Sequence, residues 1–160
     1  MGAGTIIATA IAITLLILTG YVLIFGTLST ARIVTMAQQA AADREAQQIH
    51  TRIEIMNAST NTTAYQTFVE VKNTGSEVVG DFRHMEVYLL QGGVPYTYMN
   101  QSGPVNWTYT INPDMVHPNL LDPDEVANIT VPYEPSWGDS TWVKVTTANG
   151  VYDSAYTVVT

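Results

Sequence analysis

From Thr5 to Ala31 almost every position is apolar or small, and no periodicity separates a wet face from a dry one: TIIATAIAITLLILTGYVLIFGTLSTA. A membrane-spanning helix needs about 20 such residues, and Gly20 and Gly26 are tolerated in one. The pattern then turns polar without a break. Arg32 to His50 reads RIVTMAQQAAADREAQQIH, and no Gly or Pro occurs between Thr27 and Gly75. Ala, Gln, Met, Arg and Glu are good helix formers. The sequence predicts one helix from about residue 4 to about residue 50, roughly 70 Å long at 1.5 Å per residue. Its first half belongs in lipid and its second half forms a stalk. A cleaved secretory signal would need a basic leading region and an apolar stretch of only about 7–15 residues, so an uncleaved anchor fits better. Gly4, Ala8 and Ala12 recur every four positions on one face, a spacing that lets another helix approach closely within a membrane.

Beyond residue 50 the period changes from helical to alternating. Runs with strand character are Thr51–Met56, Ala64–Lys72, Arg83–Leu90, Val126–Val131, Thr141–Thr147 and Val151–Val159. One or two more fall near Tyr96–Met99 and Val105–Ile111. Val69 and Val71 face inward, as do Met85, Val87 and Leu89, and Ala127, Ile129 and Val131. Turn residues close several runs, among them Asn73-Thr74-Gly75-Ser76 and Gln91-Gly92-Gly93. Ala148-Asn149-Gly150 between two alternating runs is a strong hairpin signal. The fold class expected is α+β: an anchor and stalk helix over residues 1–50, then an all-β sandwich of immunoglobulin-like type over residues 51–160, with about seven strands. The Cys–Trp–Cys pattern of antibody domains is absent.

Charge sharpens this division. Only 12% of the residues are charged, against about 25% in ordinary soluble domains. Met1 to Ala31 carries no charged side chain, and all 14 acidic residues lie at or beyond Asp43. The net charge is −8, and the six Lys and Arg form no patch, which argues against nucleic acid as a partner. There is no cysteine, so the domain depends on its apolar core.

Two signals bear on orientation, and they disagree. Arg32 just after the span, read by the positive-inside rule, would leave the domain in the cytoplasm. Against that, Asn-x-Ser/Thr acceptors occur at Asn57, Asn61, Asn100, Asn106 and Asn128. This points to an exported, glycosylated surface. The reading adopted places the N-terminus inside and the β domain outside.

No catalytic constellation stands out, and an enzyme is not expected. His50, His84 and His117 have no ligand partner at metal-binding spacing. Asp122, Asp124 and Glu125, with Asp114 nearby, are weak Ca²⁺ candidates, since oxygen ligands in a loop suit that ion; the EF-hand order and its Gly are missing. No phosphate loop, HExxH or GxSxG motif occurs, and no cofactor is expected. Trp107, Trp137 and Trp142, with nine Tyr, could pack the core or form a sugar- or protein-binding surface.

Met1-Gly2-Ala3-Gly4 opening an uncharged helix, the continuation of that helix into a Gln/Ala segment, and the segments Val71-Lys72-Asn73-Thr74-Gly75-Ser76 and Leu121-Asp122-Pro123-Asp124-Glu125-Val126 together carry a resemblance. The chain resembles the archaellum (archaeal flagellum) accessory proteins FlaF and FlaG, within the archaellin and type IV pilin-like group. The resemblance implies a β-sandwich outside the membrane that grips the S-layer or another envelope protein, as part of a stator. It also implies association with other pilin-like subunits through the N-terminal helix, as a homo- or hetero-oligomer. Filament subunits of that group resemble one another in a basic segment before the processed Gly. Here only Met1 precedes Gly2, which favours the anchor over the filament subunit whose helices bundle into a core.

Overall fold

The computed structural model describes residues 2–99 and 106–160. The chain divides into two compact units, Met1–Asp43 and Arg44–Thr160. Helix α1 spans Ala3–His50, as its run of strong helix formers requires. The second unit takes in the end of that helix, Arg44–His50, together with all the strands.

Nine strands follow among the described residues: β1 (Ile53–Asn61), β2 (Gln66–Asn73), β3 (Glu86–Gln91), β4 (Val94–Met99), β5 (Thr108–Ile111), β6 (Val126–Pro132), β7 (Ser140–Thr146), β8 (Tyr152–Tyr156) and β9 (Val158–Val159). One sheet has the order β5-β6-β2-β1-β9 and the other β4-β3-β7-β8. Strands β1, β2, β5 and β6 facing β3, β7 and β8 reproduce the immunoglobulin division of strands between two sheets, with β4 added at one edge. All pairings are antiparallel except β1 with β9.

The alternation along each strand dictates this packing. Val69 and Val71 of β2, Ala127, Ile129 and Val131 of β6, Val87 and Leu89 of β3, and Val143 and Val145 of β7 all point between the sheets and are buried. Met85, Phe82, Leu121 and Trp107 fill the ends of the layer. Several polar groups in this core are hydrogen-bonded, as burial favours. The Thr60 hydroxyl reaches the Thr67 hydroxyl at 3.3 Å and donates to the Ser140 carbonyl at 3.1 Å, and the Tyr98 hydroxyl donates to Gln91 Oε1 at 2.6 Å.

Three elements differ from expectation for local reasons. Strand β1 continues to Asn61, past the expected end at Met56. A bulge between Ile55 and Asn57 shifts its register against β2, which turns Ala58 and Thr60 inward; a uniform alternation cannot reveal such a flip. The run Val151–Val159 is not one strand. Strand β8 pairs with β7, whereas β9 crosses to the other sheet and joins β1. Thr157 marks the crossing, its N–H donating to the Thr141 carbonyl at 3.1 Å. A single helical turn, Pro135–Trp137, lies between β6 and β7, where the sequence reading placed no helix.

Leu89 is wholly buried in the middle of β3. Its replacement by Ala removes side-chain contacts in a close-packed layer and lowers the unfolding free energy by about 2–5 kcal/mol, measurable by denaturant titration of the β unit.

Candidate functional site: an uncovered helix and its anchored end

Helix α1 buries none of its residues. Ile6, Leu16, Leu23 and Phe25 are all more than half exposed. The threonine hydroxyls inside this apolar stretch bond to the helix itself. The hydroxyls of Thr9, Thr14, Thr19, Thr27 and Thr30 each donate to the carbonyl four residues back, at 2.9–3.0 Å. Back-bonding of this kind gives those threonine donors a partner, and the helix satisfies its own backbone, the condition for life in hydrocarbon. Gly4 has open space around it, and Ala8 and Ala12 are exposed on the same helix.

The other end of α1 is tied into the β unit. A helix leaves its last carbonyls without intrahelical donors, and here Thr51 and the turn after β2 supply donors to two of them. The Gln47 carbonyl accepts from the Thr51 N–H at 2.9 Å and the Thr51 hydroxyl at 2.8 Å. The His50 carbonyl accepts from the N–H groups of Ser76 (2.9 Å) and Glu77 (3.2 Å), and the Arg52 carbonyl from those of Thr74 (2.9 Å) and Gly75 (3.0 Å). Asn73 holds that turn in shape. It is fully buried; its Oδ1 accepts from the Gly75 N–H at 3.0 Å, and its Nδ2 donates to the carbonyls of Glu77 (2.8 Å) and Leu121 (2.9 Å). The β7–β8 hairpin completes the grip, with Asn149 Nδ2 donating to the Thr51 hydroxyl at 2.8 Å and Gln48 Nε2 to the Asn149 carbonyl at 2.6 Å. A cleft of about 540 Å³ remains beside this joint, lined by Arg44, Gln48, Glu77, Asp81 and Asn149 among others.

The acidic segment proposed for Ca²⁺ is brought together, but its oxygens are already engaged. Glu125 accepts from the N–H groups of Met115 (2.9 Å) and Asp122 (3.1 Å). Asp122 accepts from the His117 N–H at 2.9 Å and faces its Nδ1 at 2.8 Å. Asp114 accepts from the Asn119 N–H at 2.8 Å, and Asp124 pairs with Lys72 at 2.8 Å. These carboxylates fasten the loop before β6. Among the described residues no group of three or more acidic or histidine side chains is placed to hold a metal ion. The hydrogen bond to Asp122 raises the pKa of His117 above the ordinary 6.5, and the same bond lowers that of Asp122. His84, exposed ahead of β3, pairs with Asp81 at 2.7 Å, and His50 Nδ1 lies 3.4 Å from the Ser76 hydroxyl.

The remaining candidates separate by face. Asn57 and Asn128 both stand opposite Glu70, on the outer side of the five-stranded sheet. Asn61 shares the parity of Asn57, and its Oδ1 caps the turn into β2 by accepting from Thr63 and Ala64. Asn106 is exposed just before β5; Asn100 lies outside the described residues. The three tryptophans do not form one surface. Trp107 is a core residue, Trp137 stacks on Tyr96 with ring centroids 4.2 Å apart, and Trp142 is half-buried on the outer face of the four-stranded sheet, across from Tyr156.

Sequence reasoning missed the anchored helix end. Its signals were present as Asn73-Thr74-Gly75 and Asn149-Gly150, but both were read only as turns. A Cβ on Gly75 would stand 2.5 Å from the Arg52 nitrogen and from the His50 carbonyl oxygen, so only glycine lets the turn approach the helix end.

The archaeal-type flagellin family model matches residues 2–156. An uncharacterized protein of Archaeoglobus fulgidus is 24% identical over 159 residues, 97% of this chain and 95% of that one. Among solved structures, the archaellum periplasmic stator protein FlaG from Sulfolobus acidocaldarius is similar at 22% identity and a TM-score of 0.49, over 66% of this chain and 98% of that one. The periplasmic stator complex of FlaF and FlaG from the same organism gives 20% identity and a TM-score of 0.51, over 66% and 88%. The last of these is a likeness of fold.

Two measurements check the joint and the loop. Gly75→Ala destabilises the β unit by about 1–3 kcal/mol, the usual cost of forcing an extra methyl into packed structure, read from thermal unfolding. In an NMR titration His117 titrates above 6.5, and Asp122→Asn lowers its pKa. The stabilisation from the raised histidine pKa is complete below 6.5 and is lost as pH rises through the raised value. That from the lowered carboxylate pKa holds above the ordinary 3.8 and is lost as pH falls through the lowered value.

Proposed function

Since this chain belongs to the archaeal-type flagellin family, we propose that it is a membrane-anchored structural protein of the archaeal motility machinery, with its β domain outside the cell against the S-layer or another envelope component. The observation that carries this reading is the helix α1 itself. It is long and apolar enough to cross a membrane, and no residue of its most apolar stretch is covered. Hydrocarbon is the cover that its uniform apolar surface and self-bonded threonines suit. The acceptors at Asn57, Asn61, Asn106 and Asn128, all on or beside the five-stranded sheet, support an exported domain with its N-terminus inside the cell. The solved structure of like fold is a complex of archaellum periplasmic stator proteins, which supports a stator-like and structural role rather than a catalytic one.

A filament subunit is the second reading. The specific observation in its favour is that the flagellin family match includes the apolar helix, from residue 2 onward. In a filament the same helix surface is covered by neighbouring helices, and Gly4, Ala8 and Ala12 set their distance of approach.

Under the anchor reading the full-length protein stays in the membrane fraction through alkaline washing, and protease added to intact cells removes the β domain. Recovery in the cytosol defeats it. Leu16→Arg costs about 2.5–3.5 kcal/mol of insertion free energy and shifts protein from the membrane to the soluble fraction. Electron micrographs separate the two readings, since fibres built from this chain support the filament subunit.

A further inference from the structure

The outer face of the four-stranded sheet differs from the rest of the domain surface. Pairing across the strands sets Trp142 of β7 beside Tyr156 of β8, and Tyr88 of β3 beside Lys144 of β7. Tyr152 is 61% exposed and Tyr156 83%, although an edge strand in water has no need of large rings. They stand four residues apart on one side of β8, on the order of 13 Å at about 3.3 Å per residue. The Lys144 ammonium lies 3.9 Å from the Tyr152 ring centroid and 5.7 Å from that of Tyr88. Among the described residues it makes no ion pair. Glu86, on the same face, accepts from the Tyr88 hydroxyl. The acceptor positions Asn57, Asn61 and Asn128 lie on the opposite sheet.

We propose that this face is a binding platform for a carbohydrate chain that bears carboxylate groups. The rings of Trp142, Tyr152 and Tyr156 stack on the apolar C–H faces of successive sugars, the phenolic hydroxyls meet sugar hydroxyls, and Lys144 takes a carboxylate. Tyr and Trp suit such a role because each combines a rigid apolar plane with a polar tip. Charge favours an acidic chain. The protein carries 14 acidic residues against six basic ones, so an anionic glycan is repelled from most of the surface and finds here a cation with no ion-pair partner among the described residues. Shape favours a glycan over a protein. A stable protein interface covers about 800 Å² per partner around a packed apolar centre, whereas here two rings project from an edge strand with the hydroxyl of Ser154 between them. The platform deepens the anchor reading by giving the envelope contact a chemistry, and rests on that reading only for its location.

The test uses the full-length protein in detergent micelles, titrated calorimetrically with an oligogalacturonide and with a neutral cello-oligosaccharide. The acidic oligomer binds more tightly than the neutral one. Tyr152→Ala and Tyr156→Ala each weaken binding of both by about tenfold without changing the melting temperature. Lys144→Gln abolishes the preference for the acidic oligomer and spares the neutral one. Absence of binding by both oligomers overturns the proposal, as does binding that survives all three substitutions. Capture of a glycan-free envelope protein through this face, with no affinity for either oligomer, overturns it in favour of a protein partner. Failure of the membrane test leaves this result untouched, so the two readings fail separately.

Discussion

The helix α1 presents a long apolar surface, and none of its own residues is buried. At about 25 cal/mol per Å², covering that stretch with lipid or other apolar helices is favoured over exposing it to water. The distribution of charge follows from this. The segment through Ala31 has no ionised side chain, and every carboxylate is delayed to Asp43 or later. Even the threonines obey it, because each hydroxyl that would be stranded in an apolar surround turns back on its own helix.

At the other end the requirement is reversed. A helix that leaves an apolar environment and meets a folded domain has unsatisfied carbonyls and, in a flexible join, would swivel. The turn at Asn73–Glu77 and the hairpin at Thr147–Val151 answer both needs by donating to those carbonyls and to Thr51. The carboxylates of the loop before β6 do comparable work, each holding a backbone N–H or a cation. This explains why a cluster that looked like a cation site from its composition is instead a set of internal fasteners.

The sequence exposed most of this where one kind of residue forces one kind of structure. The apolar run, the Gln/Ala continuation, the alternation in β2, β3, β6 and β7 and the Asn-Gly hairpin were all readable. What stayed hidden depends on contacts between distant parts of the chain. The bulge in β1 flips Ala58 and Thr60 inward with no Gly or Pro to announce it. The break at Thr157 separates two strands of identical local character. Gly75 is required by a backbone that arrives from His50 and Arg52, and no local rule predicts that meeting. Trp107 and Trp142 show the same limit, since aromatic residues of equal propensity lie one in the core and one at the surface.

Strand β1 follows directly from the anchored helix end and is bordered on both sides, by β2 antiparallel and by β9 parallel. Inter-strand hydrogen bonds run nearly perpendicular to the strands in the first pairing and slanted in the second. A pull directed along β1 strains many of these bonds at once, in shear, rather than peeling them apart one after another. A domain joined to its tether in this way resists tension along that strand.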